Sequence, residues 1–589
     1  MSNQAVANRP RWGRRVLIAA LIVLGLLVAA AAWIGVRGVL AKGEFDDLVP
    51  LAGDVRNAAS TGDLARIEAL APALREHAAS AAALTGDPIW AAAEVIPVIG
   101  ANLAAVRITA SELSAIADVL PDLTAAGAGL AAPADGALIS PTALAAAEAP
   151  LRAADDVIQD AAASLAGIDT ASLIPQVADG VNELRDVVTL IAPATGAVTN
   201  AAAVLPSMLG GDGERSILVM IQNSAELRTG GGITGSFAEL RAIDGRLELV
   251  RQVDSSAFAA RTQPIIPLAD SVTTLYSDVV GRFVQNVSMT TDFATTAEMA
   301  SAWWSELTGT TPDTVISVDP FVLRALVSAV GPVDLPGGGQ LTSDNLIDTL
   351  LVQPYRTMSS DEQSVLFSAA TQSVFDRLSS GGVDPLVLAT ALAEPAAEGR
   401  ISVWNAAADE NAILSTSVFG GSDARQADAG AGAFGIYFND ATGAKMAEFL
   451  DISMTLTAGQ CRTDGFADVA VSLTMASTAP ADVASWPISV TGGGLFGVGA
   501  GDIGTNITVV GPEGSFAGEV IVKDEPYAAP TAVDDGRPAS AARVNLSPAE
   551  VNTLVFHFLV PEDRVGQLAL VHTPLMNAPQ IQIVPTACS

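Results

Sequence analysis

Four stretches of the chain differ in how hydrophobic and polar positions follow one another. Residues 16–36 carry no charge, and at 1.5 Å per residue they are long enough for a bilayer core of about 30 Å. Residues 43–205 are rich in alanine and repeat apolar positions in steps of three and four, which is typical of packed helices. Strands and helices are predicted to mix over residues 212–455, and from residue 461 the pattern has a period of two.

The alanine-rich region predicts an antiparallel helical bundle. Alanine in the seam between helices allows close approach, and Pro72, Pro97, Pro121, Pro141 and Pro175 are expected at helix ends. Such a bundle is a spacer or, alternatively, a module that senses a ligand. The apolar seam runs through Leu103, Val106, Ala110, Leu113, Ala117 and Leu120.

The central region predicts an α/β or α+β domain. Ile217–Gln222 has the composition of a buried strand, and a glycine-rich loop follows it. Phe237–Ile243 and Leu247–Val253 predict a hairpin, because Asp-Gly is a strong turn signal. Helices are expected over Phe293–Leu307, Asp344–Leu351, Asp361–Leu378 and Pro385–Ala393, and further strands over Val315–Val318, Ile401–Trp404 and Phe434–Phe438.

The C-terminal region, residues 461–589, predicts a β-sandwich. Turn clusters rich in glycine separate runs in which alternate residues are apolar. The apolar faces are Val469, Val471, Leu473 and Met475 in one run and Leu554, Phe556, Phe558 and Val560 in another. The predicted fold class is therefore a multidomain protein with an N-terminal transmembrane helix, an Ala-rich α-helical bundle, a central α/β (α+β) domain and a C-terminal β-sandwich.

Charge fixes the expected topology. The chain has 64 acidic and 30 basic residues and a net charge of −34, yet residues 1–42 contain six basic residues and no acidic one. Residues 1–15 are therefore predicted to stay in the cytoplasm, residues 16–36 to lie in the lipid bilayer of the cell membrane, and the bulk of the chain to be extracytoplasmic. Cleavage as a signal peptide is the alternative, since Ala29–Ala32 offers small residues. A body with a charge of −40 argues against a nucleic-acid partner.

Two cysteines, Cys461 and Cys588, bracket the C-terminal region. In an exported chain an even number of cysteines favours a disulfide, and two unpaired thiols are the alternative.

The sequence lacks the motifs that several classes of enzyme require. The chain has no P-loop motif, no S-x-x-K, no G-x-S-x-G and no H-E-x-x-H, and its three histidines give no basis for a metal site. No cofactor is expected. The run from Gly230 to Gly235 matches G-x-G-x-x-G, but a strand rather than a helix follows it, which argues against dinucleotide binding. A tight loop and an anion-binding nest of backbone N–H groups both remain open.

The surroundings of that loop suggest an anion-binding site. Five arginines lie within residues 228–261 of a very acidic protein: Arg228, Arg241, Arg246, Arg251 and Arg261. Arginine pairs with phosphate or carboxylate, although these arginines could equally be exposed strand residues with acidic neighbours. The candidate anion-binding residues are Asn223, Glu226, Arg228, Gly231, Gly232, Gly235, Ser236, Arg251 and Asp254.

The run from Leu218 to Phe237 resembles the signature Q-N-x-A-E-x-R-x-x-G-G-x-x-G-S of the actinobacterial envelope proteins grouped as domain of unknown function four-zero-one-two. Supporting matches are Thr291–Phe293, Ser317–Pro320, Gly331–Val333, Asn439–Met446, Thr491–Gly494 and Thr573–Pro574. The resemblance covers residues 210–589 and implies a membrane-anchored protein of the cell envelope without an established activity. The layout of anchor, helical bundle, central domain and sandwich without a convincing catalytic set favours a protein that binds wall glycans or envelope partners.

Residues 313–335 are more distantly similar to the LytR-CpsA-Psr transferases, which attach lipid-linked glycopolymers to the cell wall. This similarity implies the alternative function of a phosphotransferase, or of a binder of polyprenyl-pyrophosphate-linked glycopolymer. The Pro-Arg-Asp motif of those enzymes would fall at Gln252-Val253-Asp254, where only the aspartate is kept. Loss of that arginine removes a charge that a transferred pyrophosphate needs.

Overall fold

The computed structural model describes residues 12–60, 63–97, 99–130, 139–380 and 383–584. The chain divides into two compact units, one of residues 1–130 with 145–202 and the other of residues 131–144 with 203–589. The predicted fold class is confirmed: an apolar N-terminal helix and further helices precede several mixed sheets.

Helices make up the first unit. Within α1, residues 20–58 form a segment long and apolar enough to cross a membrane, and its apolar side chains are exposed over residues 20–28. The helices are α1 (Trp12–Ser60), α2 (Leu64–Thr85), α3 (Pro88–Ala93), α4 (Ile99–Gly129), α5 (Pro141–Ala166) and α6 (Pro175–Met208).

The bundle packs through small residues, as its composition predicts. Ala110 and Ala117 of the predicted seam in α4 are fully buried. The expectation for two prolines is wrong, because Pro72 and Pro121 lie inside α2 and α4 rather than at their ends. Pro141 and Pro175 do begin helices, where the missing N–H costs no intrahelical bond.

A five-stranded mixed sheet begins the second unit. Its spatial order is β3-β2-β1-β4-β7, with β1 parallel to β4 and antiparallel to β2, which is in turn antiparallel to β3. β1, β3 and β4 therefore run in the same direction, and their carboxyl ends share one edge. The strands in this part of the chain are β1 (Arg215–Asn223), β2 (Ile233–Ile243), β3 (Arg246–Asp254), β4 (Thr314–Val318), β5 (Val333–Asp334), β6 (Gln340–Leu341) and β7 (Ser402–Asn405).

Helices surround this sheet, and a buried aromatic core lies beneath it. Trp304 of the helix Phe293–Thr308 contacts Phe237 of β2 at 6.1 Å between ring centroids. Asp344–Leu351 differs from the predicted α-helix, because Asp348–Val352 is a π-helix. The helices are α7 (Asp270–Tyr276), α8 (Val279–Arg282), α9 (Phe293–Thr308), α10 (Pro320–Val330), α11 (Gln353–Thr357), α12 (Ser360–Ser379), α13 (Pro385–Ala397), α14 (Ala408–Leu414) and α15 (Ser422–Asp428).

Two further sheets pack face to face around one hydrophobic core. Their orders are β13-β12-β16-β10-β9-β18 and β14-β15-β11-β8-β17. The two predicted apolar faces lie side by side on one sheet, since Val471 of one strand is paired with Phe556 of the next and both are buried. The strands are β8 (Gly432–Asp440), β9 (Leu450–Cys461), β10 (Phe466–Ser477), β11 (Ile503–Val510), β12 (Phe516–Val522), β13 (Glu525–Tyr527), β14 (Thr531–Asp534), β15 (Arg537–Leu546), β16 (Val551–Pro561), β17 (Leu568–His572) and β18 (Gln580–Val584), with the short helices α16 (Ile488–Thr491) and α17 (Glu562–Val565).

The predicted limits of the domains and the predicted disulfide remain predictions. β8, which was expected in the central domain, lies in a sheet of the sandwich, so these sheets begin at residue 432. Cys588 lies outside the described residues. In the parallel pair of β18 and β9, Val584 lies beside Thr457, and the two cysteines are each four residues further along.

A candidate functional site at the signature loop

The signature run forms the end of β1, a tight loop and the start of β2. Its polar side chains are buried rather than open to solvent: Asn223, Glu226 and Arg228 are 8%, 4% and 6% exposed. Burial of charged groups requires partners inside the protein. The partners therefore decide what the site can do.

Glu226 lies between two cations. Its Oε1 accepts from Arg228 at 3.1 Å, and its Oε2 accepts from Lys445 Nζ at 3.0 Å. Burial alone would raise the pKa of Glu226, but the charges of Lys445 and Arg228 outweigh it and hold the pKa below its ordinary value. For Lys445 the directions are reversed: burial alone would lower its pKa, but the Glu226 carboxylate outweighs burial and raises the pKa above its ordinary value. This group therefore stays fully ionised at neutral pH.

Arg228 has little capacity left for a ligand. Its Nε and Nη2 both donate to Asn286 Oδ1, at 3.3 and 3.0 Å, in addition to the bond from Nη2 to Glu226. Its Nη1 donates to the carbonyls of Leu227 and Asp440, at 2.8 and 3.3 Å. The fork of N–H groups that would bind a phosphate is thus used within the protein.

The signature loop is joined to the sandwich by a ladder of hydrogen bonds. Asp440 N donates to the Leu227 carbonyl at 2.8 Å. Thr229 and Asn439 bond each other reciprocally, at 3.1 Å from Thr229 N and 3.0 Å from Asn439 Nδ2. Thr573 Oγ1 donates to the Thr229 carbonyl at 3.3 Å. Motifs that lie more than 200 residues apart therefore form one structure, which we call the signature junction (Glu226, Arg228, Asn286, Asn439, Asp440 and Lys445).

Tyr355 extends this junction toward α11. Asn223 Nδ2 donates to the Tyr355 hydroxyl, and Lys445 Nζ lies 5.1 Å from the centre of the tyrosine ring. Burial raises the pKa of Tyr355 to about 12, so the phenol stays protonated at neutral pH. No motif in the sequence marks Tyr355. Lys445, by contrast, lies in one of the motifs that supported the family resemblance.

The glycines of the loop have structural reasons. Gly231 has a φ of +120°, a conformation that other residues rarely adopt. A Cβ at Gly232 would overlap the backbone of Asn223, whereas one at Gly235 would meet nothing closer than 3.7 Å. The N–H groups of Gly230 and Gly231 donate to the carbonyls of Ser288 and Arg228 at 3.0 and 2.8 Å. These two groups are thus unavailable for an anion, which favours the tight loop over the nest.

The remaining predicted site residues do not share partners with Arg228. Arg251 pairs with Glu239 at 2.8 Å on the face of the sheet. Asp254 ends β3, where it accepts from Ser256 N at 2.8 Å, and Ser236 is its neighbour on β2. Arg241 pairs with Glu248 and Arg261 with Glu306. Four of the five arginines of the predicted cluster are therefore held in separate ion pairs.

A second buried ion pair, between Asp319 and Arg400, was not predicted from the sequence. Asp319 follows β4, caps α10 by accepting from Phe321 N and Val322 N, and pairs with Arg400 at 2.7 Å. Ser224 Oγ of the signature loop donates to the same carboxylate at 2.8 Å. The Ser-Val-Asp-Pro motif was a signal for the cap, but nothing near Arg400 in the sequence marked its partner.

A small polar cavity lies on the other side of the loop. Seven of its eleven lining residues carry hydroxyl groups, and Gln222 and Gly230 contribute one wall. Gln222 Oε1 and Ser317 Oγ are buried without a hydrogen-bond partner among the described residues. The cavity has room for about one water molecule and not for a sugar ring.

Among the residues that the structure describes, no group of three or more His, Cys, Asp or Glu side chains is arranged to hold a metal ion. Divalent cations such as Mg²⁺ are usually held by carboxylates together with substrate phosphates. The carboxylates of Glu226 and Asp319 are instead paired with lysine and arginine side chains.

The signature loop falls in a segment that matches a family model. Residues 212–355 match the model of DUF4012, described as a protein of unknown function. The signature loop and Asp319 lie within the DUF4012 segment, whereas Arg400, Asn439 and Lys445 lie beyond it. No curated protein and no solved structure matches the chain, and the comparisons do not show the more distant similarity to the LytR-CpsA-Psr transferases.

Proposed function

We propose that this protein is a single-pass, membrane-anchored, extracytoplasmic protein of the cell envelope, and that its second unit binds wall glycans or envelope partners without reacting with them. One observation carries the proposal: the charged residues of the signature are buried and neutralised by one another. A catalytic site for phosphoryl transfer needs cations that are free to meet the developing charge of the substrate. Here the equivalent groups hold the sheet against the sandwich.

The apolar N-terminal helix supports the anchor. Its exposed side chains have no protein partner to cover them over residues 20–28, and arginines precede it in the sequence. Such a surface is compatible with lipid and costly in water. The acidic body and the basic N-terminal end agree with an extracytoplasmic location.

An exposed apolar loop of the sandwich is the binding surface that we favour. Ile488, Leu495 and Phe496 are 68%, 55% and 66% exposed on a glycine-rich stretch. The stretch is held by defined contacts, since Arg543 donates to the Phe496 carbonyl at 2.8 Å. Fixed, exposed aromatic and aliphatic groups of this kind are typical of surfaces that meet a partner.

The alternative is a phosphotransferase or a binder of polyprenyl-pyrophosphate-linked glycopolymer. One feature favours it: Asn223, Asp254 and Asp319 lie at the carboxyl ends of three strands that run in the same direction, where ligands of such sheets commonly bind. The pairing of Asp319 with Arg400 and the burial of Arg228 count against it.

The test consists of two parallel incubations of the purified full-length protein. One contains polyprenyl pyrophosphate with Mg²⁺ and measures release of phosphate, and the other contains purified cell-wall glycan and measures binding. We expect no release of phosphate, and glycan binding that weakens in Phe496→Ser but not in Val365→Ser, which changes a comparably exposed residue on α12. Mg²⁺-dependent release of phosphate that is lost in Asp254→Asn would contradict the proposal and establish the alternative. Absence of glycan binding would leave envelope proteins as the partners to test.

A further inference from the structure

The connection between α2 and α4 exposes large apolar side chains. Val95 is 84% exposed, Ile99 56%, Ile96 46% and Ile89 41%. We call these four residues the apolar turn. Single exposed apolar residues are common on protein surfaces. Four of them within one short connection form an apolar patch, and such patches usually contact a partner or a membrane.

The apolar turn lies beside the C-terminal end of the uncharged stretch of α1. Trp33 Nε1 donates to Asp87 Oδ2 at 3.0 Å, and Arg37 Nη1 donates to the carbonyls of Ala83 and Leu84 at 3.0 and 2.9 Å. The ring of Trp90 packs against Gly38. The uncharged stretch of α1 ends at residue 36, so these contacts fix the turn at the same level as the predicted exit of α1 from the bilayer.

The directions of the helices agree with this placement. α2 runs antiparallel to α1, because Arg66 pairs with Asp54 and His77 with Glu44. α4 returns along α2, because Arg75 pairs with Asp118. The end of α2 and the start of α4 therefore lie together at the membrane-proximal end of this helical unit.

The backbone is closely packed where the connection enters α4. Gly100 N donates to the Ile96 carbonyl at 2.8 Å, and a Cβ at Gly100 would overlap the backbone of Glu94. Glycine at position 100 is therefore required for the close approach of the start of α4 to Glu94.

The two carboxylates of the connection are neutralised. Glu94 forms two bonds with Arg107, at 2.6 and 3.1 Å. Asp87 accepts from Trp33 and from the first N–H groups of α3 and lies 3.5 Å from Arg37. Paired charges can approach a medium of low dielectric constant at a smaller cost than free ones.

We infer that the apolar turn inserts into the outer interface of the lipid bilayer beside α1, as a second and shallow membrane contact. The inference rests on the proposed membrane anchor and extends it. An amphipathic element held at the interface binds by the burial of a few large apolar side chains. Together with α1 it would fix the orientation of the helical unit at the membrane, which a single helix cannot do alone.

The test uses the full-length protein in lipid nanodiscs, with an environment-sensitive fluorescent amino acid introduced at one position at a time. Position 95 reports on the apolar turn and position 24 on the centre of the apolar helix. Position 125 is the matched control, since it is exposed on the same α4, about 39 Å along the helix from residue 99. Lipids that carry a quenching nitroxide on the acyl chain are then added in increasing proportion.

We expect loss of fluorescence at positions 24 and 95 and none at position 125. Quenching at position 24 without quenching at position 95 would overturn the inference and leave the anchor intact. Absence of quenching at position 24 would instead refute the anchor itself, so the two failures are distinguishable.

Discussion

Arg228 of the signature junction and the arginines of the strand surface are close in sequence and differ in burial and in the number of their partners. Arg228 is buried and gives its N–H groups to Glu226, Asn286 and backbone carbonyls. Arg241 is exposed and pairs with one glutamate on the neighbouring strand. Removal of one partner from a buried ion pair strongly lowers the free energy of unfolding, because the other charge stays buried without a counter-ion. Exposed ion pairs contribute little to that free energy. Density of charge along the sequence thus says little about where function or stability resides.

Removal of the Glu226 carboxylate should have the largest effect. Glu226→Gln leaves the charges of Arg228 and Lys445 buried without a counter-ion, and we expect a loss of about 3–5 kcal/mol in the free energy of unfolding of the second unit. Denaturant unfolding of the full-length protein measures it, followed by tryptophan fluorescence, to which Trp303 and Trp304 in the buried core of the second unit contribute. Unchanged unfolding would mean that the junction does not stabilise the fold.

The loop glycines allow a sharper comparison within the signature. Gly232→Ala forces a Cβ into the backbone of Asn223, and we expect a loss of about 1–3 kcal/mol. Gly235→Ala is the control, since its Cβ has 3.7 Å of clearance, and it should be close to neutral. Thermal melting of both variants gives the ranking, and equal effects would show that tight packing is not the reason for the glycines.

Acid should separate Glu226 from the other buried carboxyls, Asp423 and Asp440. The lowered pKa of Glu226 contributes stability that is present above the ordinary glutamate pKa of about 4.3 and is lost as the pH falls further. Burial raises the pKa of Asp423 to about 7 and that of Asp440 to about 6, so their contribution is largest at low pH and is lost as the pH rises through those values.

Stability from these three groups should therefore be greatest near about pH 4, close to the ordinary pKa of the carboxyl groups, and decline on both sides. Melting temperature measured against pH tests this, and Asp423→Asn should reduce the decline between pH 5 and 7. A monotonic rise of melting temperature from pH 5 to 8 would be inconsistent with both raised values.

The smallest effect is expected on the strand surface. Arg241→Gln removes an exposed pair with Glu248 and should leave the melting temperature unchanged within error. A marked loss of stability there would show that exposure is a poor guide to the role of these arginines.

Local patterns in the sequence predicted much of the fold. The alternating faces of β10 and β16 and the Asp-Gly turn between β2 and β3 follow from side-chain periodicity and turn chemistry, and the structure contains all three. The position of β8 could not be predicted, because sheet membership depends on pairing with distant strands rather than on the strand's own residues.

The candidate site was predicted in part. Asn223 and Glu226 were predicted as polar groups at the end of a strand, and Arg228 as one of five arginines close together in an acidic protein. Their partners were not, since the pairing of Glu226 with Lys445 spans 219 positions and leaves no local signal. Arg251 was included as one of the crowded arginines and Asp254 as a polar group at a strand end, and neither criterion shows which partners a side chain meets in the folded protein.

Hydrogen exchange across the junction tests the central claim most directly. The amides of Thr229 and Asp440 donate across it, to Asn439 and Leu227. We predict that in Glu226→Gln the peptides containing both amides lose protection together, while Arg241→Gln leaves them unchanged. Full protection of both peptides in Glu226→Gln would contradict the account of the signature as a structural junction.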